Sequence, residues 1–255
     1  MPSSAFKFSK MSIPIPKFSF HILLTSLILL IIIPPHLTDI VGKVLTMVLF
    51  NLVMLASLYV VAQQKRTFYI GILLAIPTVL VGWGDFYSSA HLANYLRALT
   101  LIAFFGFVSF HLFKYLIKQL HPNTEMIIAA ISLYFIIALL WAMIYVSLEI
   151  HYPGSFNLKA GIDGGDLTGL INELTYFSFV TISTLGYGDI SPQTTFTQGW
   201  VVLEAIVGQF YIAIVLARLL GLFVAEETAK EAEKNHVKEM LKKAQSTHKD
   251  DGTHH

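Results

Sequence analysis

Cysteine is missing from the 255 residues, which excludes disulfides and thiolate metal sites. Charge is scarce: Asp, Glu, Lys and Arg make up 13% of the chain, and the formal net charge is +1. A balance so near zero offers no electrostatic footprint for nucleic acid. Hydrophobic residues reach 55% and the mean hydropathy is +0.66, too apolar for a soluble domain and in keeping with a membrane protein. No nucleophile–base pair or metal-ligand cluster falls inside the apolar runs, so an enzyme has no support, and His21 and His111 read as interface or packing residues. The basic residues at every third position that a voltage sensor needs are also missing. Counting on from Arg97 gives Thr100, Ala103, Gly106 and Ser109. One charge crossing the whole field supplies only about 2.3 kcal/mol per 100 mV, so the chain is expected to respond little to voltage.

What the chain does have is a series of apolar runs. Six spans are expected, over about 18–33, 40–62, 67–81, 92–116, 126–149 and 196–224. The first is short for a bilayer, which needs about 20 residues. Pro77 predicts a kink in the third. Lys7, Lys10 and Lys17 precede the first run as they would in a signal peptide, but no small-residue cleavage site follows, so that run reads as a retained helix. Basic residues fall on one side of these spans: the three N-terminal Lys, then Lys65 and Arg66, then Lys114 and Lys118, then the Lys-rich tail. The opposite short loops hold Asp39 and Asp85, and the longer outer segment has only Lys159. That asymmetry puts both termini in the cytoplasm of a multi-pass cell-membrane protein. Within the spans, Asn51 is expected to hydrogen-bond across helices. Arg97 reads as an anchor at the interface, with Asp85 or Asp39 as partner, and Lys43 is similar.

Between the fifth and sixth spans the pattern changes. Residues 151–166 are polar and Gly-rich and read as an external turret. Residues 167–181 predict a helix of about four turns, which enters the membrane only halfway and points its partly negative C-terminus at the centre. Then comes Thr181-Ile-Ser-Thr-Leu-Gly-Tyr-Gly-Asp189. Gly186 and Gly188 allow φ > 0 at little cost, so successive carbonyls can face the same way. Irregular backbone at membrane depth is tolerated only where it lines a cavity or is buried in protein.

The pattern Thr181-x-x-Thr184-x-Gly186-Tyr187-Gly188-Asp189 resembles the signature of potassium channels, specifically six-transmembrane, bacterial-type ones, here lacking a charged voltage-sensor helix. Leu185 stands where Val is more usual. The resemblance covers residues 123–224 and implies an all-α membrane protein: six transmembrane helices, a re-entrant pore helix and a selectivity filter in a tetrameric pore. K⁺ would exchange its hydration shell for carbonyl oxygens of Thr184, Leu185, Gly186 and Tyr187, in rings from four chains, with Gly188 completing the filter. Since one chain carries a single Gly-Tyr-Gly, the implied partners are three further copies and the lipid bilayer, with no nucleic acid. Asp189 would form the outer mouth. The implied function is passive, potassium-selective conduction with weak or no voltage gating, and K⁺ is the permeant ion rather than a cofactor. The alternatives are a potassium transporter subunit, which carries four filter-like loops in one chain, and a non-selective cation channel, which shows a changed Tyr or second Gly; neither departure is present.

The implied organisation is a cytoplasmic N-terminus (1–17), a four-helix domain in the sensor-like position (18–116), a pore domain (123–224) and a cytoplasmic helix and tail (225–255). Gly208 lies where the family's inner helix carries a glycine, proposed there as a gating hinge; close helix packing is the alternative. Gln209, Ile212 and Leu216 share its face at helical spacing and would line the cavity and gate. Glu204 is a carboxylate in the middle of a span, expected behind the filter and bonded to the pore helix through Tyr176, Thr181 or Ser183. Some bacterial relatives place a Glu in the pore helix itself, where this chain has Val180. In the tail, Val237, Met240, Leu241 and Ala244 follow helical spacing, and residues 245–255 read as disordered.

Overall fold

The computed structural model describes residues 18–33, 40–61, 65–83, 91–159 and 167–250. They form α1 (Ser19–Ile32), α2 (Ile40–Val61), α3 (Lys65–Trp83), α4 (His91–Lys118), α5 (Thr124–His151), α6 (Leu167–Ile182) and α7 (Thr195–Asp250). No strand occurs among the described residues; the one β-type pairing there is an isolated antiparallel bridge between Phe156 and Pro192.

Local chemistry sets the ends of the central helices. Asn123 is extended at φ −147°, and its side chain accepts from the Met126 N–H at 2.8 Å, which caps α5. Pro153 and Gly154 follow Tyr152, the C-cap of that helix, and Gly154 sits at φ 84°. α7 opens with a reciprocal cap: the Thr197 N–H donates to Thr194 Oγ1 at 3.2 Å, and the Thr194 N–H donates to Thr197 Oγ1 at 3.3 Å.

Four described stretches are long and apolar enough to cross a membrane: Val41–Val61, Leu92–Lys118, Thr124–His151 and Thr195–Met240. Ser19–Ile32 and Thr67–Val79 are apolar but shorter. α4 lies along α5, α1 packs on both α2 and α5, and α6 is wedged between α5 and α7. Phe20, Leu27, Phe104, Phe105, Leu133 and Tyr145 are fully buried at these seams. In lipid such seams hold by close packing and hydrogen bonds, because the surrounding tails are as apolar as the side chains. The apolar window of α5 is 56% buried and that of α7 only 11%, so α7 offers most of its apolar surface outward.

Three expectations need correction. Asn51 donates to the Met47 carbonyl of its own helix at 2.9 Å rather than across helices. Arg97 is 6% exposed, so it is packed inside the bundle rather than anchored at the surface. It lines a cavity of about 60 Å³ with Thr46, Asn51, Thr78, Thr168 and Ile171. The tail does not lose its order at residue 245, because α7 is one helix of 56 residues to Asp250. Val237 and Met240 are exposed on it, while the side chains of Leu241 and Ala244 fall outside the described residues. Asp39, Asp85, the N-terminal Lys residues, part of the turret (160–166) and the last five residues also lie outside the described residues.

Candidate functional site

The segment after α6 is shaped by the way that helix stops. The Leu185 N–H donates to the Val180 carbonyl at 3.0 Å and the Thr184 N–H to the Thr181 carbonyl at 2.9 Å. This is a Schellman ending, with Thr184 in the left-handed position usually given to glycine. Thr184 has φ 60°, the one positive value at a non-glycine among the described residues. Gly186 at 57° and Gly188 at 79° follow it. Positive φ therefore recurs at every second residue through Thr184-Leu185-Gly186-Tyr187-Gly188. A β-branched residue is a poor occupant of this region, so Thr184 is held there against its own preference.

The side chains of Leu185 and Tyr187 are exposed, at 55% and 66%. Large side chains left more than half exposed by their own chain offer surface for a further contact. Gln209, Ile212 and Leu216 are likewise exposed along α7.

Beyond the segment, Asp189 is held from two sides. The Tyr176 hydroxyl of α6 donates to Asp189 Oδ2 at 2.8 Å, and the Asn157 side-chain amide donates to the Asp189 carbonyl at 3.4 Å. The hydrogen bond from Tyr176 is the main cause that holds the Asp189 carboxyl below its ordinary range. Asn157 Oδ1 also accepts from the Ser191 N–H. The Gln193 N–H donates to the Ser155 carbonyl at 2.8 Å, and so does the Thr197 hydroxyl at 3.3 Å. The base of this bracket is Glu149, which is 6% exposed and accepts the N–H groups of Gly154 at 2.8 Å and Phe156 at 3.0 Å. The chain on the far side of Gly188 is thus tied to the end of α5.

Behind the segment, Glu204 is fully buried, but not on the expected partners. Tyr176 is engaged by Asp189, Ser183 Oγ donates to the Phe179 carbonyl at 2.6 Å, and Thr181 offers its carbonyl to Thr184. Glu204 instead lies 2.5 Å from Ser178 Oγ of α6 and 2.5 Å from the Tyr145 hydroxyl of α5. One turn further along α7, Gly208 meets the end of α6. A Cβ there would stand 2.5 Å from the Ile182 carbonyl oxygen and 2.6 Å from Ile182 Cγ1. Its position is one of close approach between two helices.

Sequence reasoning missed Glu149, Asn157, Tyr145, Ser178 and Arg218. The Arg218 guanidinium donates to the carbonyls of Ile117 at 2.5 Å and Gln119 at 2.9 Å, satisfying the C-terminal end of α4 from α7. The available signal for Glu149 was a carboxylate placed just before a Pro-Gly turn, and for Arg218 a lone cation late in an apolar helix. The pairings of Ser178 and Tyr145 across 26 and 59 residues left none.

Residues 128–225 match the family model described as Ion channel. A comparison with curated proteins found no match.

Proposed function

We propose, taking as premise that the chain carries an ion channel domain of the potassium-channel type over residues 128–225, that it is a potassium-selective channel built from four copies. One observation carries this reading: positive φ at Thr184, Gly186 and Gly188, separated by Leu185 and Tyr187. Alternating backbone handedness turns successive carbonyls the same way. Four such segments around an axis supply stacked oxygen rings that replace the hydration of K⁺. α6 is the pore helix, 16 residues long and so about 24 Å, too short for a hydrocarbon core of about 30 Å. α5 and α7 are the outer and inner helices. Asp189 stands at the outer mouth, and Gln209, Ile212 and Leu216 face the cavity and its constriction.

Assembly into a ring explains what one chain leaves uncovered. The exposed faces of α7 and the side chains of Leu185 and Tyr187 are apolar, and copies of the chain would cover them. α1 to α4 complete six spans with both ends in the cytoplasm, in keeping with the distribution of Lys and Arg.

Purified protein in liposomes tests the function. Across graded K⁺ and Na⁺, the reversal potential is expected to follow the K⁺ gradient, with Na⁺ contributing little. A reversal potential that tracks Na⁺ equally would leave a cation channel without selectivity.

A further inference from the structure

Behind the Thr184–Gly188 segment, four polar groups from three helices meet away from water: Tyr145 and the Ala138 carbonyl on α5, Ser178 on α6 and Glu204 on α7. The Tyr145 hydroxyl is 2.5 Å from Glu204 Oε2, Ser178 Oγ is 2.5 Å from Glu204 Oε1, and the same Ser178 Oγ is 2.7 Å from the Ala138 carbonyl. These are three short contacts at hydrogen-bond distance, and a linear bond in each takes a proton of its own, where a shared proton would weaken two of them.

Counting protons decides the state of the carboxyl. Tyr145 brings one and Ser178 brings one. If Glu204 is ionised it brings none, so two protons must serve three contacts. Either the Ala138 carbonyl and the Ser178 oxygen then face each other at 2.7 Å with nothing between them, or Ser178 and Glu204 do so at 2.5 Å. A naked charge would also stand at a position with no solvent exposure. If Glu204 keeps its proton, the count closes. Tyr145 donates to Glu204 Oε2, the Glu204 acid donates from Oε1 to Ser178 Oγ, and Ser178 donates to the Ala138 carbonyl.

We infer that Glu204 is a neutral carboxylic acid, a positioning residue that donates its proton to Ser178 and so joins outer, pore and inner helices in one directed chain of hydrogen bonds. The titratable groups that bond to Glu204 or feel its charge are Tyr145 and Tyr134 of α5, α6 presents Ser178, and Tyr211 lies further along the same helix as Glu204. Tyr211 is engaged elsewhere, since its hydroxyl donates to the Ala130 carbonyl at 2.6 Å. Removing the proton from Glu204 leaves Ser178 one proton for two partners, so the pore helix loses its hydrogen bond either to α7 or to α5. The effect on conduction rests on the potassium-channel reading; the place of the proton does not.

Infrared spectroscopy of the full chain in liposomes tests the proton directly. At neutral pH the wild type is expected to show the carbonyl band of a protonated carboxylic acid, shifted in D₂O, and Glu204→Gln to lack it. Titrating the wild type alone to alkaline pH should bleach that band, which keeps the test alive if the variant does not fold. K⁺ flux supplies the second readout. Gln offers the same donor and acceptor without a charge, so Glu204→Gln should stay within about twofold of wild type, whereas Glu204→Ala should lose about tenfold or more. Absence of the band at neutral pH overturns the proposal, as does a Gln variant as impaired as the Ala variant. A wild type that shows the band but passes no K⁺ would instead count against the channel reading.

Discussion

Asp189 shows how much a single hydrogen bond can set at an exposed position. Tyr176 donates to it, and that bond keeps the carboxyl ionised to lower pH than its ordinary value of 3.8. The folded-state pKa is depressed, so its contribution to stability is fully present above the ordinary value and is lost as pH falls through the lowered one. Lowering the pH from neutral toward 4 is therefore expected to leave sustained K⁺ current unchanged through this group. In Tyr176→Phe the donor is gone, and the decline should set in at higher pH, nearer the ordinary carboxylate range. Current recorded against external pH for both proteins checks this, and coincident curves would separate Asp189 from the stability of the mouth. Thr184 teaches the opposite lesson about legibility. Glycines at 186 and 188 announce their left-handed backbone, but nothing about a threonine does, because the conformation is imposed by the helix ending before it.

At the scale of elements, what could be read from the sequence was what periodicity and punctuation carry. The half-length helix from Leu167, the long apolar helices on either side of it and the irregular segment after it all follow from local pattern. Their mutual contacts do not. Glu204 was visible as an anomaly in an apolar run, yet its partners are brought in by packing, which no spacing along α7 encodes. Asn51 went the other way and found its bond within its own helix, as polar side chains in helices often do. Gly208 admitted two readings, and the contact with Ile182 separates them in a measurable way. Were it only a soft point in α7, Gly208→Ala would stabilise the helix by about 1 kcal/mol. A Cβ placed 2.5 Å from a backbone oxygen cannot be absorbed by a side-chain shift, and overpacking of this kind costs about 1–3 kcal/mol. The second effect is expected to win, so the alanine variant should melt at lower temperature in detergent. A raised midpoint would favour the hinge.

Across the whole molecule, the α1–α4 bundle is packed on the α5–α7 helices of its own chain, chiefly through α4 on α5. Arg218 adds a second tie, from α7 to the end of α4. Arg97 is locked within the bundle beside the start of α6, which is a place for a fixed side chain rather than a travelling charge. Conductance against voltage should therefore be shallow, and Arg97→Gln should leave its slope unchanged while lowering thermal stability. A slope that falls in the variant would make Arg97 a gating charge.

The uninterrupted run of α7 has a mechanical corollary. At 1.5 Å per residue its 56 residues measure about 84 Å, nearly three hydrocarbon thicknesses. A rod of that length, pinned near its start by Glu204 and Gly208 and near its middle by Arg218, works as a lever with fixed fulcrums. Whatever grips its charged far end acquires leverage over the Thr184–Gly188 segment without ever touching it.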